Sequence, residues 1–153
     1  MIRQPASVIV AGPSGSGKSE LVEKLLKEKT LCDSPPKKIV YCYDRWQPRF
    51  DRMKKHMFFK GLPPEGALVK WFKPEHHGIL ILDGLMEESG SDERVLDLFT
   101  KDSHHRGITA LYITHDLFPP GKFVLNHPGI RQVFDIYCFK CTLKNGVKYS
   151  NCF

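Results

Sequence analysis

No stretch of this 153-residue chain approaches the roughly 18 consecutive apolar residues of a membrane span. The N-terminus offers only Val8-Ile9-Val10-Ala11 before a glycine, well short of the roughly 7–15-residue apolar region of a signal peptide. No membrane partner and an intracellular site of action are therefore expected. A secreted disulfide framework is not suggested either, since the five cysteines are an odd number. Cys32 and Cys42 are expected to be reduced. Internal repeats and low-complexity segments are also lacking, which excludes solenoids and long linkers. Neither sign of charge dominates: 23 Lys+Arg against 17 Asp+Glu leave a net charge of +6, which permits a nucleic-acid partner without demanding one. The remaining composition, 41% hydrophobic and 26% charged, is that of a globular chain. The length suits one domain, residues 1–153, with a core of its own.

What is present alternates short apolar runs with amphipathic stretches. Ser7 to Ala11 reads as a buried strand. Lys18 to Lys29 reads as a helix with Leu21, Val22, Leu25 and Leu26 on one face. Asp33-Ser34-Pro35-Pro36 breaks the chain. Ile39 to Tyr43 is a strand, Gln47 to Lys55 a helix with Pro48 in its first turn, and Gly61-Leu62-Pro63-Pro64 a loop. Gly78 to Leu82 and Ile108 to Ile113 are further buried strands, with a helix over Ser91 to Thr100 between them. Phe134 to Phe139 and Val147 to Tyr149 flank Asn145-Gly146, a hairpin signal. Buried strands separated by helices predict an α/β fold, a mainly parallel sheet covered on both faces. The first strand starts almost at once, so no N-terminal accessory domain is expected.

Gly12-Pro13-Ser14-Gly15-Ser16-Gly17-Lys18-Ser19 matches G-x-x-x-x-G-K-[ST] between a strand and a helix. The glycines let successive backbone N–H groups turn inward onto phosphate oxygens. The following helix adds the positive end of its dipole. Lys18 places a compact cation on the terminal phosphates, and Ser19 offers a hydroxyl to Mg²⁺. ATP and Mg²⁺ are the expected ligands.

Gly78-Ile79-Leu80-Ile81-Leu82-Asp83 is an apolar strand ending in a carboxylate, the form of a Walker B segment, with Asp83 as the Mg²⁺-holding acid. Hydrolytic relatives with an inserted strand usually carry a second acid next, to orient the attacking water. Gly84 stands there instead, and Glu87 and Glu88 are the nearest substitutes. Ile39 to Tyr43 lies in sequence between the phosphate-loop and Asp83 strands, and an inserted strand points to the RecA-like branch of P-loop NTPases. Leu111-Tyr112-Ile113-Thr114-His115-Asp116 ends a later strand in polar residues. Thr114 and His115 are alternatives for a side chain that senses the terminal phosphate.

With these segments in place, the chain resembles DNA-packaging ATPases of the FtsK/HerA superfamily, of the type carried by Polinton/Maverick elements and large DNA viruses. The likeness lies in Val8 to Leu21, Pro35 to Phe50, Phe59 to Pro63, Ile79 to Met86 and Leu98 to Lys122. The block of Ser103-His104-His105-Arg106 with Leu117-Phe118-Pro119-Pro120-Gly121-Lys122 is its most specific part. The resemblance implies a homo-oligomeric ring that hydrolyses ATP to move duplex DNA into a capsid, with capsid or portal protein as a further partner. The site of action implied is a viral factory, nucleus or cytoplasm. It also implies that the phosphate loop binds ATP, that Asp83 holds Mg²⁺, and that His115 occupies the family's Gln sensor position. Arg106 and Arg131 are candidates for the arginine finger. The chain departs from the family at Gly84 and His115. After Lys122 the likeness fades, so a C-terminus short of the family's is expected.

Two other readings remain. The phosphate loop also resembles that of guanylate kinase, although no Arg-rich lid is found between Asp83 and Ile108. A catalytically degenerate ATP-binding module fits Gly84. Cys138, Cys141, Cys152 and His127 suggest zinc on paper, but two cysteines three apart in a strand point to opposite faces. Arg45, Trp46, Arg49, Arg52, Lys54, Lys55 and His56 read as a solvated basic helix face, with contact to DNA phosphates as the alternative.

Overall fold

The computed structural model describes residues 2–85, 95, 97–98, 105–115, 134–140 and 148–151. The helix expected over Ser91 to Thr100 falls mostly outside these residues. So do Glu87, Glu88, Asp116, His127, Arg131, Cys141 and Cys152, the Asn145-Gly146 turn, and the 103–104 and 117–122 parts of the family-like block.

The strands are β1 (Ser7–Ala11), β2 (Lys38–Tyr43), β3 (Met57–Lys60), β4 (Gly78–Asp83), β5 (Ile108–Thr114), β6 (Phe134–Lys140) and β7 (Lys148–Asn151). They form one sheet in the order β3-β2-β4-β5-β1-β6-β7. Every pairing is parallel except that of β6 with β7, which is antiparallel as a hairpin requires. Helix α1 (Lys18–Glu28) follows β1, and the five-residue α2 (Ala67–Trp71) follows β3. The expected α/β architecture is therefore present.

The period-two alternation of each strand sorts its side chains onto two faces. Val8, Val10, Tyr41, Ile79, Ile81, Leu111 and Ile113 share one cluster with Val22 and Leu26 of α1. Ile9, Val40, Leu80, Leu82, Ala110 and Tyr112 share the other, with Phe72 and Leu85. Burial on both faces explains why the central strands read as continuous apolar runs. In α1, Val22 and Leu26 are buried, while Leu21 and Leu25 pack partly buried against the same cluster. The helix stops where Lys29 turns left-handed (φ 57°); the N–H groups of Lys29 and Thr30 then bond the carbonyls of Leu26 and Leu25, which closes the helix end.

The structure corrects two expectations and adds two elements. The segment Gln47 to Lys55 is not an α-helix: only Pro48–Met53 turns, as a 3₁₀ segment. Its anchors Phe50 and Met53 are spaced three apart, the repeat of the tighter turn, and both are buried. The strand inserted between β1 and β4 in space is β5, not β2; β2 pairs with β4 on its far side. Finally, β3 and α2 were not expected. Strand β3 is four residues on the sheet edge with one partner, too short for its alternation to stand out.

Candidate functional site

The carboxyl-terminal ends of the parallel strands bring the sequence motifs together, where open α/β sheets bind ligands. Asp83 pairs with Ile113 and Ile113 with Val10, so one row across three strands carries Asp83 to the level of the phosphate loop. Asp83 continues the Ile79, Ile81 face, the one α1 covers. There the Ser19 hydroxyl donates to Asp83 Oδ2 at 3.0 Å. The Tyr41 hydroxyl, from the adjacent β2, donates to the same oxygen at 2.6 Å. Burial, followed by the charge of Asp83, pushes the Tyr41 phenol far above its ordinary pKa, so it remains a donor.

Gly15 (φ 75°) and Gly17 (φ 84°) are left-handed. A Cβ at either would meet nothing within 4 Å; glycine is needed there for the backbone turn and not for space. Lys18, a residue only 5% exposed, donates from its ammonium to the carbonyls of Gly12 at 2.8 Å and Pro13 at 2.9 Å. It also reaches the Ser16 hydroxyl at 3.4 Å. Burial lowers the Lys18 pKa, and Asp83 works against that shift. Gly12, Pro13 and Ser16 thus hold the lysine, while Ser14, Gly15, Gly17, Lys18 and Ser19 line a cleft of about 490 Å³.

The same cleft is lined by Asp83, Gly84, Thr114 and His115, and by Asp44, Arg45, Gln47 and Arg49 from the chain after β2. Both sensor candidates line the cleft, Thr114 as a buried residue and His115 as an exposed one. Gly84 is left-handed (φ 73°). A Cβ there would lie 3.8 Å from that of Asp44. Asp44 follows Tyr43, which pairs with Asp83, so a carboxylate stands beside the position that Gly84 leaves without one. Sequence reasoning missed Asp44 because its relation to Asp83 is one of strand register. The basic stretch divides in a way a helix face would not. Arg45 and Arg49 line the cleft, and Arg52 bonds both carboxylate oxygens of Glu23 at 3.2 and 3.3 Å. Arg106 lines a separate cavity with Leu62, Leu68 and Asp97, away from the phosphate loop. Cys32 and Cys42 are free and buried.

The donor set suits a phosphate-bound Mg²⁺: a hydroxyl and a carboxylate, both hard oxygen ligands, with room left for water and phosphate. Among the described residues no group of three His, Cys, Asp or Glu side chains could cage a metal alone.

A left-handed glycine loop on a strand–helix junction, with its acidic strand one strand removed, defines a RecA-like P-loop NTPase fold. Solved structures similar to the chain include the following two. Flagellar accessory protein FlaH from Methanocaldococcus jannaschii superposes with a TM-score of 0.62 at 13% identity, covering 97% of this chain and 77% of that one. A KaiC-like protein, PH0186 from Pyrococcus horikoshii, has a TM-score of 0.46 at 13% identity, over 95% and 77%. No family model and no curated protein matches the sequence. Among the described residues no helix is long and apolar enough to cross a membrane.

Proposed function

We propose that this chain binds ATP with Mg²⁺ in the cleft and hydrolyses it. The observation that carries this reading is the 3.0 Å bond from Ser19 to Asp83: the hydroxyl and the carboxylate that this reading assigns to Mg²⁺ stand side by side next to the phosphate loop. Lys18 exchanges its loop carbonyls for the terminal phosphates, and its charge stabilises the transferring phosphoryl group. Asp44 orients the attacking water, the role that Gly84 cannot fill. Thr114 or His115 reports the terminal phosphate to the rest of the chain. The position of β5 between β1 and β4 weighs against the nucleotide-kinase alternative, in which those two strands are neighbours. The work drawn from hydrolysis is movement of duplex DNA by a homo-oligomeric ring that docks on a capsid or portal. This part of the proposal is supported by the family-like segments, and the net charge of +6 is compatible with it.

ATP turnover with and without duplex DNA tests the reading on wild type, Lys18→Ala and Asp44→Asn. Wild-type turnover that DNA raises is expected, with each variant lower by about 100-fold or more. Tight Mg-ATP binding without wild-type turnover would overturn hydrolysis. It would leave a nucleotide-holding module, the second reading, which Gly84 favours.

A further inference from the structure

The three arginines between β2 and β3 have different surroundings. Arg52 is engaged by Glu23 of α1. Arg45 is 91% exposed and lies 3.4 Å from Asp44. Arg49 is half-buried, lines the cleft with Lys18, Ser19 and Asp83, and makes no ion pair among the described residues. Its backbone is fixed by the 3₁₀ segment, whose next residue, Phe50, is fully buried against Tyr41 at 4.9 Å between ring centroids. Partial burial of a guanidinium costs desolvation that an anionic partner would offset.

The location selects the partner. Arg49 directly precedes Phe50, whose ring packs on Tyr41, and Tyr41 in turn bonds Asp83 Oδ2, so Arg49 lines the cleft on the side where Ser19 and Asp83 meet. The cleft is lined by three carboxylates, Glu20, Asp44 and Asp83, and three cations, Lys18, Arg45 and Arg49. Without Arg49 the lining would carry excess negative charge and oppose a polyanion. A planar guanidinium also matches phosphate oxygens two at a time, as an ammonium does not.

We infer that Arg49 binds the terminal phosphate of the nucleoside triphosphate in cis, so that the cleft distinguishes a triphosphate from a diphosphate. This rests on the ATP-binding reading of the cleft. It places a phosphate-binding cation within the same chain, on a residue that neither the phosphate loop nor the acidic strand supplies.

Equilibrium binding of Mg-ATP and Mg-ADP tests it on wild type, Arg49→Ala, Arg49→Lys, Lys18→Ala and the surface control Arg52→Ala. Wild type is expected to prefer the triphosphate. Arg49→Ala should weaken Mg-ATP about tenfold or more while leaving Mg-ADP nearly unchanged. Arg49→Lys, which keeps the charge and loses the fork, should fall between them, and Arg52→Ala should match wild type. Equal loss for both nucleotides in the Arg49 variants, or no loss, would overturn the inference while leaving ATP binding intact. If wild type and Lys18→Ala both fail to bind either nucleotide, the proposed function itself falls and the inference with it.

Discussion

Asp83 Oδ2 accepts hydroxyl bonds from Ser19 and Tyr41 at once. The first comes from the phosphate loop and the second from a neighbouring strand, so the carboxylate is held from two sides. Outer partners that fix a ligand commonly matter about 10–100-fold for metal affinity. Tyr41→Phe keeps the ring against Phe50 and Phe58 and removes only the hydroxyl. It should cost about 1 kcal/mol of stability and weaken Mg²⁺-dependent ATP binding about tenfold, with Mg²⁺-free binding unchanged. A Mg²⁺ titration of nucleotide binding checks this, and an unaltered Mg²⁺ dependence would show that Ser19 alone orients Asp83. At this scale the sequence shows whatever is contiguous. The residues from Gly12 to Ser19 are legible because their spacing is local, and Asp83 because it ends an apolar run. Tyr41, Asp44 and Arg49 become visible only when the register of β2 against β4 is known.

Elements were legible where burial was complete. Strands β1, β4 and β5 are buried along their whole length, and each was expected within a residue of its observed bounds. Strand β3 and helix α2 are short and carry mixed exposure, so neither period shows. Strand order was beyond reach for another reason: sequence order places β2 between β1 and β4, whereas in space β5 occupies that place. The turn at the end of β4 carries its own consequence. Gly84 is left-handed, and the nearest atom to a Cβ there lies 3.8 Å away; a side chain fits in space but not in conformation. Gly84→Glu should therefore lose about 1–2 kcal/mol of stability in chemical denaturation, with no gain in ATP turnover. Rising turnover would show that the acid belongs after Asp83 and not at Asp44.

Over the whole molecule, folding must bury the lysine to which the proposed function assigns the phosphates. The Lys18 ammonium is held by the carbonyls of Gly12 and Pro13, and burial lowers its pKa from the ordinary 10.5. The charged form is thus less favoured in the folded chain than in the unfolded one. That penalty is fully present below the folded pKa. It fades as pH rises through that value towards 10.5, where the unfolded chain also gives up the proton. Removing the charge without removing the volume, in Lys18→Met, should give a protein at least as stable as wild type at neutral pH without nucleotide. Wild type should then gain on the variant as the solution is made alkaline. If the cleft binds Mg-ATP as proposed, nucleotide should reverse the ranking, because a ligand that binds only the folded state adds about 2.7 kcal/mol at a hundred times its Kd. For a chain of this length that raises Tm by roughly 5–10 °C, and Lys18→Met should show almost none of the rise. Denaturation at neutral and alkaline pH, with melting curves with and without Mg-ATP, separates the two effects. A variant clearly less stable than wild type without nucleotide would mean that the bonds to Gly12 and Pro13 outweigh desolvation, and that Lys18 holds the loop together as well as serving the phosphates.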